Sequence, residues 1–73
     1  SSITLENLAM AHPDVQLAAA IPVAHPKWDE RPLLVVVPRP GTSPTPESIL
    51  AVLEGKVAKW WMPDAVEFVD SLP

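Results

Sequence analysis

The chain has 73 residues, a formal net charge of -4 and no cysteine, which bounds it to one small domain whose core supplies only a few kcal/mol of net stability, with no disulfide to reinforce it. Five Lys and Arg residues spread along the sequence make no basic patch for nucleic acid, and no apolar stretch approaches the roughly 20 residues that span a bilayer. Cysteine-based zinc sites and thiolate nucleophiles are excluded, and the composition fits a cytoplasmic setting.

From Ser2 or Thr4 to His12, the spacing of Leu5, Leu8, Ala9 and His12 predicts a short amphipathic helix. A Ser or Thr is expected to cap its start, Glu6 to suit its positive end, and Pro13 to stop it. Val15 to Val23 alternates and predicts a strand. Val15, Leu17, Ala19, Ile21 and Val23 are expected on one face, and on the other the small Ala18 and Ala20, against which a helix can lie close. Pro22 is expected to end regular pairing near Ile21. Ala24 to Glu30 reads as a polar connection.

Leu33 to Val37 is the one uninterrupted run of large aliphatic residues. Its β-branched content and flanking prolines predict a short buried strand, covered on both faces, at the centre of the core. After a loop over Arg39 to Thr45, the run Thr45-Pro46-Glu47 supplies an N-cap, a proline at the first helical position and an early acid. The helix predicted there carries Ile49, Leu50, Leu53, Val57 and Trp60 or Trp61 on its apolar face, is weakened by Gly55 and ends at Pro63. Ala65 to Val69 predicts a third strand. The expected fold class is α+β, a small three-stranded sheet with two helices packed on it, as one domain over residues 1–73; the strand order is left open. The ten prolines sit at the joints of these segments.

Few residues suggest chemistry by type. His12 and His25, with Asp14, Asp29 and Glu30, are the candidate metal ligands, but each His directly precedes a proline at the end of an element, where a turn or capping role is expected. Asp29 and Glu30 read as a solvated pair, with Glu30 near Arg31. Neither a Gly-rich phosphate loop nor a Ser-His-Asp arrangement is present. Three tryptophans in so short a chain are more notable. One of Trp60 and Trp61 is expected to close the core, while Lys27, Trp28 and the outer ring offer a surface for another domain or for the flat ring of a ligand.

Several stretches together resemble a known family. They are Ser1-Ser2-Ile3-Thr4-Leu5-Glu6-Asn7, Ala11-His12-Pro13 with Val15, His25-Pro26-Lys27-Trp28-Asp29-Glu30-Arg31-Pro32, and Lys56-Val57-Ala58-Lys59-Trp60-Trp61-Met62-Pro63-Asp64 with Phe68-Val69-Asp70. In order and over essentially the whole chain, they resemble the C-terminal domain of acyl-CoA synthetases. These belong to the adenylate-forming superfamily that also includes luciferase and peptide-synthetase adenylation domains. The His-Pro-Lys-Trp and Lys-Trp-Trp motifs resemble the fatty-acyl and medium-chain branch.

The resemblance implies a two-step acid-CoA ligase using ATP, CoA and Mg²⁺, in which this domain is the moving lid over an N-terminal AMP-binding domain of the same chain. It implies no catalytic residue here, since the family's hinge precedes the position of Ser1 and its catalytic lysine follows Pro73. It also implies that none of these molecules is bound by the 73 residues alone. Pro22 departs from the glycine that many members carry. Lys27, Trp28, Glu30 and Arg31 are the candidates for CoA binding or domain docking. The start at Ser1 without Met and the stop at Pro73 after an apparent strand suggest a piece of a longer protein. The alternative expectation is a free-standing protein-interaction module using its tryptophan surface.

Overall fold

The computed structural model describes residues 2–27 and 29–73. Helix α1 spans Ser2–Met10, strand β1 Val15–His25, strand β2 Asp29–Pro38, helix α2 Pro46–Leu53 and strand β3 Ala65–Phe68, with a single 3₁₀ turn at Lys59–Trp61 before β3. The serine cap expected for α1 falls on Ser1 and on the side chain of Ser2, outside the described residues.

The strands are ordered β1-β2-β3. β1 and β2 form an antiparallel hairpin, and β3 lies parallel to β2 with Leu33 opposite Ala65 and Val36 opposite Phe68. A parallel neighbour requires a crossover connection, and α2 is that crossover. Leu34, Val36, Ile49 and Leu53, each 0% exposed, meet Leu5 and Ala9 of α1 and Val15 and Ala18 of β1 in one apolar cluster. No polar or charged side chain is buried among the described residues, so burial of apolar area is what holds the layers together. The central place expected for Leu33 to Val37 is therefore realised in Leu34 and Val36.

As expected, the strand is buried on both faces, from Leu34 to Val37. Val35 and Val37, on the face opposite Leu34 and Val36, are 8% and 6% exposed. Leu17, Ile21 and Val23, which pair with Val37, Leu33 and Arg31, remain exposed. The face assignment along β1 is corrected. One residue of β1 is extra between Val15 and Leu17, a bulge that changes the phase of the pleat. Val15 and Ala18 both face the helices as a result, while the larger Leu17, Ile21 and Val23 face away. The small face does receive α1, as expected.

Pairing also runs beyond Pro22, to His25 opposite Asp29. The backbone N–H of Ala20 donates to Glu6 Oε2 at 2.9 Å, which shows that this set of N–H groups points to the outer edge of the sheet. Pro22 shares that direction, so its missing donor falls where the hairpin needs none. Glu6 itself serves this edge contact and blunts an open strand rather than the start of its own helix.

α2 begins as the sequence predicts. Thr45 Oγ1 accepts from Ser48 N at 3.1 Å and Ser48 Oγ accepts from Thr45 N at 3.2 Å, a reciprocal cap. It ends much earlier than predicted. Gly55 adopts φ +78, the left-handed conformation that closes a helix, and Glu54 N and Lys56 N bond back to Leu50 O and Leu53 O. Gly55 thus terminates α2 instead of weakening a longer one. Trp60 and Trp61 consequently lie on a separate turn and are 71% and 39% exposed, so neither ring closes the core as expected. Val57 and Met62 pack against the core from this segment instead.

Candidate functional site

The polar features gather at the hairpin end of the sheet. Residues 26–28 connect β1 and β2, and Asp29, the first residue of β2, has φ +63. A three-residue hairpin connection commonly closes with a left-handed residue, a position that Asp tolerates but glycine fits without strain. Asp29→Gly is accordingly expected to stabilise the domain by up to about 1 kcal/mol, read as an upward shift in urea midpoint; a downward shift would show that the Asp side chain contributes more than the strain costs.

Both histidines play turn roles in the same way. His25 Nδ1 accepts from Lys27 N at 3.1 Å, and His12 Nδ1 accepts from Asp14 N at 3.0 Å. In each His-Pro pair the proline offers no N–H of its own, and the imidazole takes the next one in the chain. Among the described residues no group of three or more His, Asp or Glu side chains could hold a metal ion.

Arg31 joins β2 to the segment that precedes β3. Its Nε donates to Asp64 Oδ2 at 3.2 Å and Oδ1 at 3.3 Å, and Nη2 donates to Asp64 Oδ1 at 2.9 Å and to Met62 O at 2.8 Å. Nη1 donates to Trp60 O. Asp64 N in turn donates to Pro32 O at 3.2 Å, and Pro63 between them is buried. The planar guanidinium suits this set because its donors are fixed in a fork.

The hydrogen bonds from Arg31, together with its charge and a smaller effect of the His25 charge, hold the Asp64 carboxyl below its ordinary value against an opposing effect of desolvation. The same hydrogen bonds hold Arg31 above its own ordinary value. A carboxylate with a depressed folded-state pKa contributes stability above its ordinary pKa of 3.8 and loses that contribution as the pH falls through the lower folded value. Asp64→Asn should therefore have a lower urea midpoint than the parent sequence at pH 7, with the gap closing below pH 3.8. A gap that persists unchanged to the acid end would remove the ion pair as its cause. The Asp64 side chain is 54% exposed, so solvent screens the pair and the gap is modest.

Around this clamp, His25, Arg31, Lys59, Trp60 and Asp64 line a recess of about 390 Å³, within the size range of small-molecule sites. It combines a cation at Lys59, an exposed indole face at Trp60 and a carboxylate at Asp64 already engaged by Arg31. Of the sequence-derived candidates, one is part of it. Arg31 lines it, Lys27 and Glu30 are exposed on the adjoining hairpin, and Trp28 lies outside the described residues. Asp64 was not anticipated. It is 33 residues from Arg31, and only the parallel register of β3, which sets Ala65 beside Leu33, brings the two together.

These features define a small α+β domain built from a hairpin and a β-α-β crossover, with a polar recess at one end of its sheet. Residues 4–73 match the model of the AMP-binding enzyme C-terminal domain, and the chain belongs to that family. It is 56% identical over 73 residues to 3-methylmercaptopropionyl-CoA ligase of Ruegeria lacuscaerulensis, covering 100% of this chain and 14% of that protein. It is 51% identical over 74 residues to a long-chain-fatty-acid–CoA ligase of Thermus thermophilus, again 100% of this chain and 14% of the other. Apo MatB from Rhodopseudomonas palustris superposes with a TM-score of 0.94 at 36% identity over 99% of this chain and 14% of MatB. The chain thus spans about one seventh of the length of these relatives. The alternative of a free-standing interaction module finds no support among them.

Proposed function

We propose that this chain is the C-terminal domain of an ATP-dependent acid-CoA ligase and that it acts as the mobile lid of that enzyme. The observation that carries the reading is the match of the whole chain, at 56% identity, to a relative named as a CoA ligase. In such a ligase a carboxylate oxygen of the acid attacks the α-phosphorus of ATP and pyrophosphate leaves. The sulfur of CoA then attacks the acyl carbonyl of the adenylate and AMP leaves, giving the thioester. The lid covers an N-terminal AMP-binding domain for the first step and turns to admit CoA for the second. These 73 residues contribute no nucleophile or base to either bond change.

The part of the reaction that these residues serve is contact with CoA. Lys27, Trp28, Glu30 and Arg31 are the sequence-derived candidates for this contact or for domain docking, and the recess adds Lys59 and Trp60. CoA carries phosphates and a purine. A lysine ammonium beside an exposed indole suits that pair of groups, the charge for phosphate and the ring for stacking.

The test uses the full-length enzyme with ATP, Mg²⁺, CoA and a panel of acids beginning with 3-methylmercaptopropionate and fatty acids, the acids named for the relatives. Thioester and AMP are expected with at least one acid, and none from the 73-residue chain alone. Thioester formation by the isolated chain would overturn the reading.

A further inference from the structure

We propose that Arg31 is a positioning residue for the CoA recess, holding the Lys59–Trp60 turn in place through main-chain carbonyls instead of touching CoA itself; this rests on the recess being the CoA contact. The segment is anchored on either side of the turn, by Val57 and Met62 against the core, by the buried Pro63 and by Asp64 N on Pro32 O, but the turn's own residues have little to hold them. The turn is three residues long, its N-cap Ala58 makes no side-chain cap bond, and none of its residues is buried. Its internal bonds, Trp61 N to Ala58 O and Met62 N to Lys59 O, shape the turn without attaching it to the sheet.

Arg31 is what ties the turn itself, at Trp60 O, to β2. One N–H of Nε, two of Nη2 and one of Nη1 reach Asp64, Met62 O and Trp60 O, so four of the five donors of a guanidinium are engaged inside the domain. A group so committed is poorly placed to bind a phosphate as well. What it does instead is set where the Trp60 backbone lies relative to β2, and with it the ring and the neighbouring Lys59 ammonium. A displacement of the order of 1 Å at a binding group is enough to cost up to about a hundredfold.

Lysine keeps the charge at this position but not the fork, since an ammonium is a compact donor on a flexible stem. In the full-length enzyme, Arg31→Lys is therefore expected to raise KM for CoA roughly tenfold or more, while KM for ATP holds. Asp64→Asn, which keeps the shape and removes the ion pair, should move KM for CoA in the same direction by a smaller factor. Trp60→Ala tests the recess itself.

If Trp60→Ala raises KM for CoA and neither Arg31→Lys nor Asp64→Asn does, the positioning role is overturned and the CoA recess stands. If Trp60→Ala also leaves KM for CoA unchanged, the recess reading falls and the positioning role with it. Parallel rises in KM for ATP and CoA, with a loss of far-ultraviolet circular dichroism, would make Arg31 merely structural and equally overturn the proposal. A selective rise for CoA with an intact spectrum supports it.

Discussion

Leu34→Ala is expected to destabilise the isolated domain by about 2–5 kcal/mol, the range for truncating a leucine that is fully enclosed. Leu34 is 0% exposed and belongs to the cluster shared by α1, β1, β2 and α2, so the cavity would open where four elements meet and none can collapse without dragging another. A domain of this size rarely holds more than about 3–5 kcal/mol in total, so the variant should be largely unfolded in water at 25 °C. Urea titration followed by circular dichroism reads this directly. Leu17→Ala serves as the control. That leucine is exposed on the open face, and its loss should cost no more than about 1 kcal/mol. Equal losses for the two variants would mean that the core is not where Leu34 lies.

Leu34 was legible in the sequence because a run of five aliphatic residues between prolines admits few other readings, and the cap at Thr45 was legible because its residues act locally. The two features that misled are of a different kind. Gly55 could be a tolerated interruption or a terminator, and the choice depends on whether the next apolar residues still find the core from a continuing helix. Val57 and Met62 reach it from an irregular segment, which frees Trp60 and Trp61 to remain outside. One of Trp60 and Trp61 looks like core on grounds of size alone, and size does not distinguish a buried ring from one presented to a ligand or another domain.

The recess was half legible. Lys27, Glu30 and Arg31 cluster in the sequence and lie together on the hairpin, at the end of the sheet where the recess opens. The role of Arg31 was hidden because its partners are backbone carbonyls and a carboxylate across a parallel pairing. No spacing rule encodes an interaction 33 residues apart; it follows from the register of β3, which the strand order had first to supply.

The phase of β1 gives the other large expected effect, because plain alternation separates Val15 from Ala18 and the observed bulge brings both onto the face that packs on α1. Read as plain alternation, Ala18 shares a face with Ala20 that opposes Val15. With the extra residue after Val15, Ala18 instead joins Val15, Leu5 and Ala9 in the same cluster. A leucine at position 18 would then press three more carbon atoms against α1, where the helix lies close because Ala9 and Ala18 are both small. Overpacking of this kind typically costs about 1–3 kcal/mol, so Ala18→Leu should lower the urea midpoint markedly. Ala19 pairs with Val35 on the open face, where added apolar bulk meets solvent and neighbouring side chains, so Ala19→Leu should change stability by no more than about 0.5 kcal/mol. The reverse ranking, with Ala19→Leu the damaging change, would place the bulge elsewhere and turn Leu17, Ile21 and Val23 back toward the helices.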